Sequence, residues 1–239
     1  MFINEIDSLA AKLSSLRPLN AGELARLREE FAIENTYDSN AIEGNSLTLR
    51  ETALLLKEGI TVSEKPFKDH LEAAGHKDAF ELVLEYADRK TPLTERIIKD
   101  IHTLVLINDK DSKGIYRSVP VTITGAKHIP PQPYLIAAQM EQLIADYEKM
   151  KTDKHIIEAV SEFHLRFEAI HPFIDGNGRT GRLIMNMELI KAGLLPVNIK
   201  FADKRRYYDC FDSDNAGKLT ELIAEYEAEE LNRYIEMLS

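Results

Sequence analysis

The sequence predicts a mainly α-helical fold with one small β-hairpin, and three observations lead there. Apolar residues recur at intervals of three and four along most of the 239 residues, the spacing of helices that bury one face. Polar and glycine signals for helix ends bracket several of these stripes. One stretch breaks the rule: between Gly114 and Pro131, Val119, Val121 and Ile123 alternate with period two. Gly125 then offers a turn and Pro130-Pro131 ends the run, which predicts the hairpin.

Taken in order, Leu24, Leu27 and Phe31 form a stripe that can continue to Glu43, with Gly44 as the C-terminal cap. Thr48-Leu49-Arg50-Glu51 reads as the capping box of the next helix. Leu93, Ile97, Ile101 and Leu104 mark another helix, and Ile136, Met140, Leu143 and Tyr147 a further one. Ile156, Val160, Phe163, Phe167 and Ile170 form the strongest stripe, which runs directly into a glycine-rich turn. Arg179 to Ile190 reads as a helix, Arg205 to Lys218 carries paired tyrosines on helical spacing, and Leu219 to Leu238 is acidic and helical. No repeat or low-complexity linker divides the chain.

Composition narrows the classes. A chain of 239 residues buries one good core, or one core with a helical extension, and leaves no room for a second full catalytic domain. The net charge of −10 excludes broad nucleic-acid binding, which needs clustered Lys and Arg; Lys204-Arg205-Arg206 is too short a run. A single cysteine, Cys210, allows no internal disulfide and suits a reducing compartment. Met1 to Asp7 carries acids where a secretory leader needs basic charge, and no 18-residue apolar stretch exists to cross a membrane. A cytoplasmic protein is expected. His70 and His76 lack helical metal-ligand spacing, and His164 is expected to be a structural partner.

Chemistry concentrates in His171-Pro172-Phe173-Ile174-Asp175-Gly176-Asn177-Gly178-Arg179-Thr180-Gly181-Arg182. Gly176 and Gly178 can turn successive amides inward as an anion-binding nest. The helix that follows adds partial positive charge at the same spot and sets Arg179 and Arg182 three apart on one face. Histidine titrates near neutrality, so His171 is the natural general base for a hydroxyl proton. Asp175 is the only carboxylate in the turn and supplies the oxygen that a hard cation bridging two phosphates requires, so it is expected to hold Mg²⁺. Phe173 and Ile174 are expected to anchor the loop in the core.

This segment matches, residue for residue, the HPFx(D/E)GNGRxxR signature of the Fic (Fido) family, which the chain resembles. The resemblance implies the Fic fold, a helical bundle with a small hairpin flap, and transfer of AMP from ATP to a hydroxyl of a target protein. It makes His171 the base, and puts Mg²⁺ from Asp175 on the α- and β-phosphates. Asn177 then meets the α-phosphate, and Arg179 and Arg182 neutralise the outer ones. Gly176, Gly178, Thr180 and Gly181 complete the phosphate-binding set.

Three further segments extend the resemblance. Ser39 to Gly44 resembles the (S/T)xxxE(G/N) inhibitory helix, here N-terminal and in the same chain as in class II members. The resemblance implies that Glu43 pairs with Arg182 and takes the arginine meant for the γ-phosphate, while Ser39 fixes the helix or the glutamate. Gly114 to Pro131 resembles the flap on which a target peptide docks by strand addition, with Thr124 and Gly125 facing the substrates. Tyr207, Tyr208 and Asn215 resemble the YY…N of the nucleoside pocket, with Lys218 departing from the acid often found after the glycine. The expected organisation is a regulatory extension over residues 1–60, a connecting helical segment over 61–91, and a catalytic core over 92–239. Partners implied are a protein offering a Tyr, Thr or Ser hydroxyl, the chain itself as a second acceptor, and a homo-oligomer paired through helices. Two other readings use the same pocket: removal of AMP or transfer of another phosphate-containing group, and an ATP-sensing module without turnover.

Overall fold

The computed structural model describes residues 2–123, 128–212 and 215–239. Within them the chain forms ten α-helices and no strand. In chain order the helices are α1 (Phe2–Ser15), α2 (Ala21–Ile42), α3 (Leu49–Glu58), α4 (Phe67–Asp88), α5 (Glu95–Val105), α6 (Ile136–Asp153), α7 (Ile156–Ile170), α8 (Asn177–Lys191), α9 (Lys204–Asp212) and α10 (Ala216–Leu238).

Local chemistry sets their ends. At the start of α2, Asn20 accepts from the Glu23 amide at 3.0 Å while the Glu23 carboxylate accepts from the Asn20 amide at 2.9 Å, satisfying two amides that the first helical turn leaves without partners. Thr48 and Glu51 form the same reciprocal pair at the start of α3, as the sequence predicts. Thr94 caps α5, and His155 with Glu158 caps α7.

The mainly helical expectation holds. The hairpin expected over 114–131 is not seen among the described residues: Ile115 to Ile123 and His128 to Gln132 run in irregular conformation. Thr124 to Lys127, the turn of that hairpin, lies outside the described residues. Val119 is half exposed and Ile129 largely so; a period-two pattern yields a strand only where a second strand takes up its amides and one face is covered.

Helix α8 is the centre of the molecule, packed between α4, α5 and α7, with α10 and α6 on the far side of α7 and α1 laid along α10. Leu183, Ile184, Met187 and Leu189 are fully buried in it, as are the polar Arg179, Arg182 and Asn186, so the helix has no solvent face. One contiguous core joins Ile6 of α1, Phe31 and Ile42 of α2, Phe80 of α4 and Ile101 of α5 to Phe167 and Leu183, so residues from all three segments expected from the sequence pack together. Asn186 of α8 donates to the Val197 carbonyl at 3.0 Å and accepts from its amide at 2.8 Å, tying down the chain that leads to α9. No described helix is long and apolar enough to cross a membrane.

Glu227 of α10 is fully buried; one carboxyl oxygen accepts from the Leu195 amide at 2.9 Å and the other has no partner. Burial pushes this carboxyl up to about 8. Between its ordinary value near 4.5 and about 8 the folded protein binds a proton that the unfolded chain has lost, so this group makes stability fall as pH rises through that window. Glu227→Gln is therefore expected to raise the melting temperature at pH 8.5 more than at pH 5; thermal melts of both forms at the two values would show it.

Candidate active site

The functional side chains converge where the end of α7, the start of α8 and the end of α2 meet. Helix α7 ends at His171, whose backbone is left-handed (φ 49°, ψ 61°) with its amide bonded to the Phe167 carbonyl at 3.0 Å. That conformation is uncommon for a residue with a β-carbon and turns the chain sharply out of the helix. Burial holds the imidazole below its ordinary pKa; Arg117 acts in the same direction, against the Glu168 backbone and the Glu43 and Asp175 carboxylates. His171 is thus neutral at neutral pH and able to accept a proton.

The loop between His171 and α8 is rigid for identifiable reasons. Asn177 accepts from the Phe173 amide at 2.9 Å and donates to the Phe173 carbonyl at 3.0 Å, so both ends of its amide brace the turn. Phe173 is fully buried and stacks on His102 of α5, ring centres 3.6 Å apart; Ile174 is 42% exposed, so of the two expected anchors only Phe173 is one. His102 accepts at Nδ1 from the Gly114 amide at 2.8 Å, which leaves the proton on Nε2 to donate to the Asp175 carbonyl at 2.9 Å. Burial pushes this histidine down to about 4, keeping that neutral tautomer.

The two glycines of the turn serve different ends. Gly176 has φ +77° as the residue before α8, a conformation glycine takes without strain. Gly178 is helical, contrary to the nest expectation in which both glycines turn. What it supplies is room, since a Cβ there would collide with Glu43 Oε1. The carboxylate of Glu43 therefore lies over the first turn of α8, where unpaired amides and the helix dipole favour an anion.

Arg182 is buried and receives the end of α2. Its Nη2 donates to Glu43 Oε1 at 2.8 Å and to the Ser39 carbonyl at 2.9 Å, and its Nε to Ser39 Oγ at 3.0 Å. Nη1 reaches the Tyr207 hydroxyl at 3.4 Å, and that hydroxyl lies 2.6 Å from His164 Nε2. His164 is thus the structural partner that the sequence predicts. Gly44 continues from Glu43 with its amide on the Ala41 carbonyl at 3.0 Å. Arg179, also buried, meets Asp175 Oδ1 at 3.2 Å, Glu72 Oε1 at 3.3 Å and Asn40 Oδ1 at 3.4 Å. Thr180 is fully buried, and a Cβ at Gly181 would press on the His164 ring, so Gly181 serves the contact of α8 with α7.

The paired tyrosines lie on α9. Tyr207 is buried; Tyr208 is part exposed and donates to the Ile42 carbonyl at 3.3 Å. Asn215 caps α10, accepting from the Gly217 amide at 2.9 Å. Thr124 and Gly125, expected from the sequence to face the substrates, lie outside the described residues.

Magnesium fits this donor set. Asp175 keeps a half-exposed side chain, and its Oδ1 takes the Gly176 amide at 2.6 Å. No group of three or more His, Cys, Asp or Glu among the described residues could cage a metal alone. A hard cation held by one carboxylate and completed by substrate phosphates needs no such cage.

Sequence reading missed Glu72, His102, Arg117 and Glu168. Asp69, Glu72 and His76 lie three and four apart on α4 and are all buried, so a polar stripe inside a helix was the available signal for Glu72. Burial pushes the Glu168 carboxyl up to about 8, with Glu43 adding to the rise and Arg182 opposing it.

This fold and site define a class, and comparison with known proteins gives the same one. Residues 92–189 match the model of the Fic/DOC family. The chain is 30% identical to a Fic-domain-containing signaling protein of Bacteroides thetaiotaomicron, whose crystal structure superposes with a TM-score of 0.87 over 97% of this chain and 96% of that one. It is similar to Fic-1 of C. elegans (25% identity, TM-score 0.85, covering 98% of this chain and 71% of that one). A curated relative from Nematostella vectensis, named protein adenylyltransferase Fic, is 34% identical over 92% of this chain and 52% of its own length. The chain belongs to the Fic family. It spans about half the length of the curated relatives it matches.

Proposed function

We propose that this chain is a protein adenylyltransferase that transfers AMP from ATP to a side-chain hydroxyl of a protein, itself included, and that Glu43 holds it back. The observation that carries the reading is the place of the Glu43 carboxylate: on Arg182, above the first turn of α8, beside a neutral His171. A group that draws a carboxylate there also suits a phosphate. Names of the curated relatives support the reaction class.

In the proposed reaction His171 removes the proton of the acceptor hydroxyl, the oxygen bonds to the α-phosphorus, and the bond from that phosphorus to the bridging oxygen breaks. Pyrophosphate leaves with the electron pair. Arg179 and Arg182 supply positive charge for the outer phosphates, and the turn braced by Asn177 and His102 keeps His171 and the α8 amides in fixed relation. Mg²⁺ on Asp175 would neutralise phosphate charge. Tyr207, Tyr208 and Asn215 border the nucleoside, and the acceptor protein docks along the 114–131 segment.

Glu43 blocks this by occupying Arg182, so that ATP lies with its phosphates out of register. Removal of AMP from a modified protein is the second reading, favoured by the one-third-exposed Glu43 side chain, which could align a water in the same site. Incubating the Glu43→Gly protein with ATP labelled at the α- or the γ-phosphate tests the first reading: label from the α-position alone should become protein-bound. Protein labelled from the γ-position would mean kinase chemistry, and loss of a preformed AMP label with wild type would favour the second reading.

A further inference from the structure

Arg117 is 95% buried, being 5% exposed, yet no carboxylate among the described residues pairs with it. Among the described residues every acceptor it has is a backbone carbonyl. Nε donates to His171 at 2.8 Å, Nη1 to Val119 at 3.0 Å, and Nη2 to Pro131 at 2.7 Å and to Ile170 at 3.4 Å. Its own amide donates to the Pro172 carbonyl at 2.9 Å. A buried cation without a counter-ion is costly, and burial accordingly lowers the pKa of this guanidinium. An apolar side chain would fill the space at less cost, so the geometry of the fork is what the position requires.

Two sets of carbonyls meet on that fork. Ile170 and His171 stand at the C-terminus of α7, where carbonyls lack intrahelical partners and a cation is favoured. Val119 and Pro131 lie on the two arms of the segment whose turn is the expected flap. One rigid plane thus joins both arms to the left-handed residue that carries the base.

We infer that Arg117 is a positioning residue, locking the acceptor-docking segment to the backbone of His171 so that the segment and the base keep one register. Its role in turnover rests on the AMP-transfer reading; its role in holding His171 does not. Arg117→Lys retains the charge but replaces the fork with a compact ammonium that cannot reach carbonyls on both sides. In the Glu43→Gly background it should leave ATP affinity within about twofold and lower kcat for transfer by about 10- to 100-fold, the range for small misplacement of a reacting group. The imidazole ¹⁵N resonances of His171, assigned by loss in His171→Ala, should shift in Arg117→Lys. A role in stability alone predicts a lower melting temperature with unchanged kcat and unchanged His171 resonances in the folded protein, and that result overturns the inference. Should Glu43→Gly itself transfer nothing, the AMP-transfer reading falls and the His171 resonances alone decide this one. Arg117→Met, compared in the same way, separates loss of the fork from any effect special to lysine.

Discussion

With Glu43→Gly in place, His171→Ala is expected to lower AMP transfer by about 100- to 10 000-fold, the usual contribution of a positioned general base, while ATP affinity stays near that of Glu43→Gly alone. The two effects separate because no described polar contact of the two arginines proposed to meet the phosphates passes through the His171 ring: Arg179 meets Asp175, Glu72 and Asn40, and Arg182 meets Glu43, Ser39 and Tyr207. Transfer measured at saturating ATP, with nucleotide binding followed by calorimetry, gives both numbers. Equal rates with and without the imidazole would remove His171 from the proton transfer and leave the hydroxyl to be activated in another way.

Glu43→Gly by itself should raise transfer about 5- to 150-fold over wild type, if the closed arrangement is favoured by about 1 to 3 kcal/mol. The size follows from what the carboxylate holds. It contributes one bond of 2.8 Å to Arg182, whereas Ser39 contributes two, through its hydroxyl and its carbonyl. Helix α2 also has an anchor away from the arginines, where Asp38 accepts from Asn198 at 2.7 Å and from the Phe201 amide at 2.9 Å. Removing Glu43 therefore frees space over α8 without freeing the helix, and the variant should stay folded. Initial rates of self-labelling in wild type and Glu43→Gly, with melting temperatures for both, check the two halves. A rate unchanged in a folded variant would mean that the carboxylate does not limit phosphate placement.

Much of this site is legible in the sequence because its parts are local. His171, Asp175, Gly176 and the two arginines fall within twelve residues, and the helical period alone puts Arg179 and Arg182 on one face. The pairing of Glu43 with Arg182 spans 139 positions and came from the resemblance, since nothing in the local pattern links them. His102 and Arg117 were not legible for the same physical reason. Each is a single polar residue whose partner lies far along the chain: His102 and the Asp175 carbonyl are 73 positions apart, and Arg117 and the His171 carbonyl are 54 apart. Gly178 was legible as necessary but not as to why, because the need for space arises from a side chain on another helix. The alternation at Val119, Val121 and Ile123 predicted a hairpin that is not seen among the described residues, because alternation reports which side chains face apart and not whether a second strand is there to pair.

The burial of both arginines changes what gaining access to this site means. Arg179 and Arg182 are each 2% exposed and each already holds a carboxylate, and a buried guanidinium stripped of its anion is expensive. On the proposed reading such a site would behave as an ion exchanger. A productively placed phosphate would not enter a vacant pocket but would take the place of the Glu43 carboxylate on Arg182, so the affinity of that pose would measure the difference between two anions.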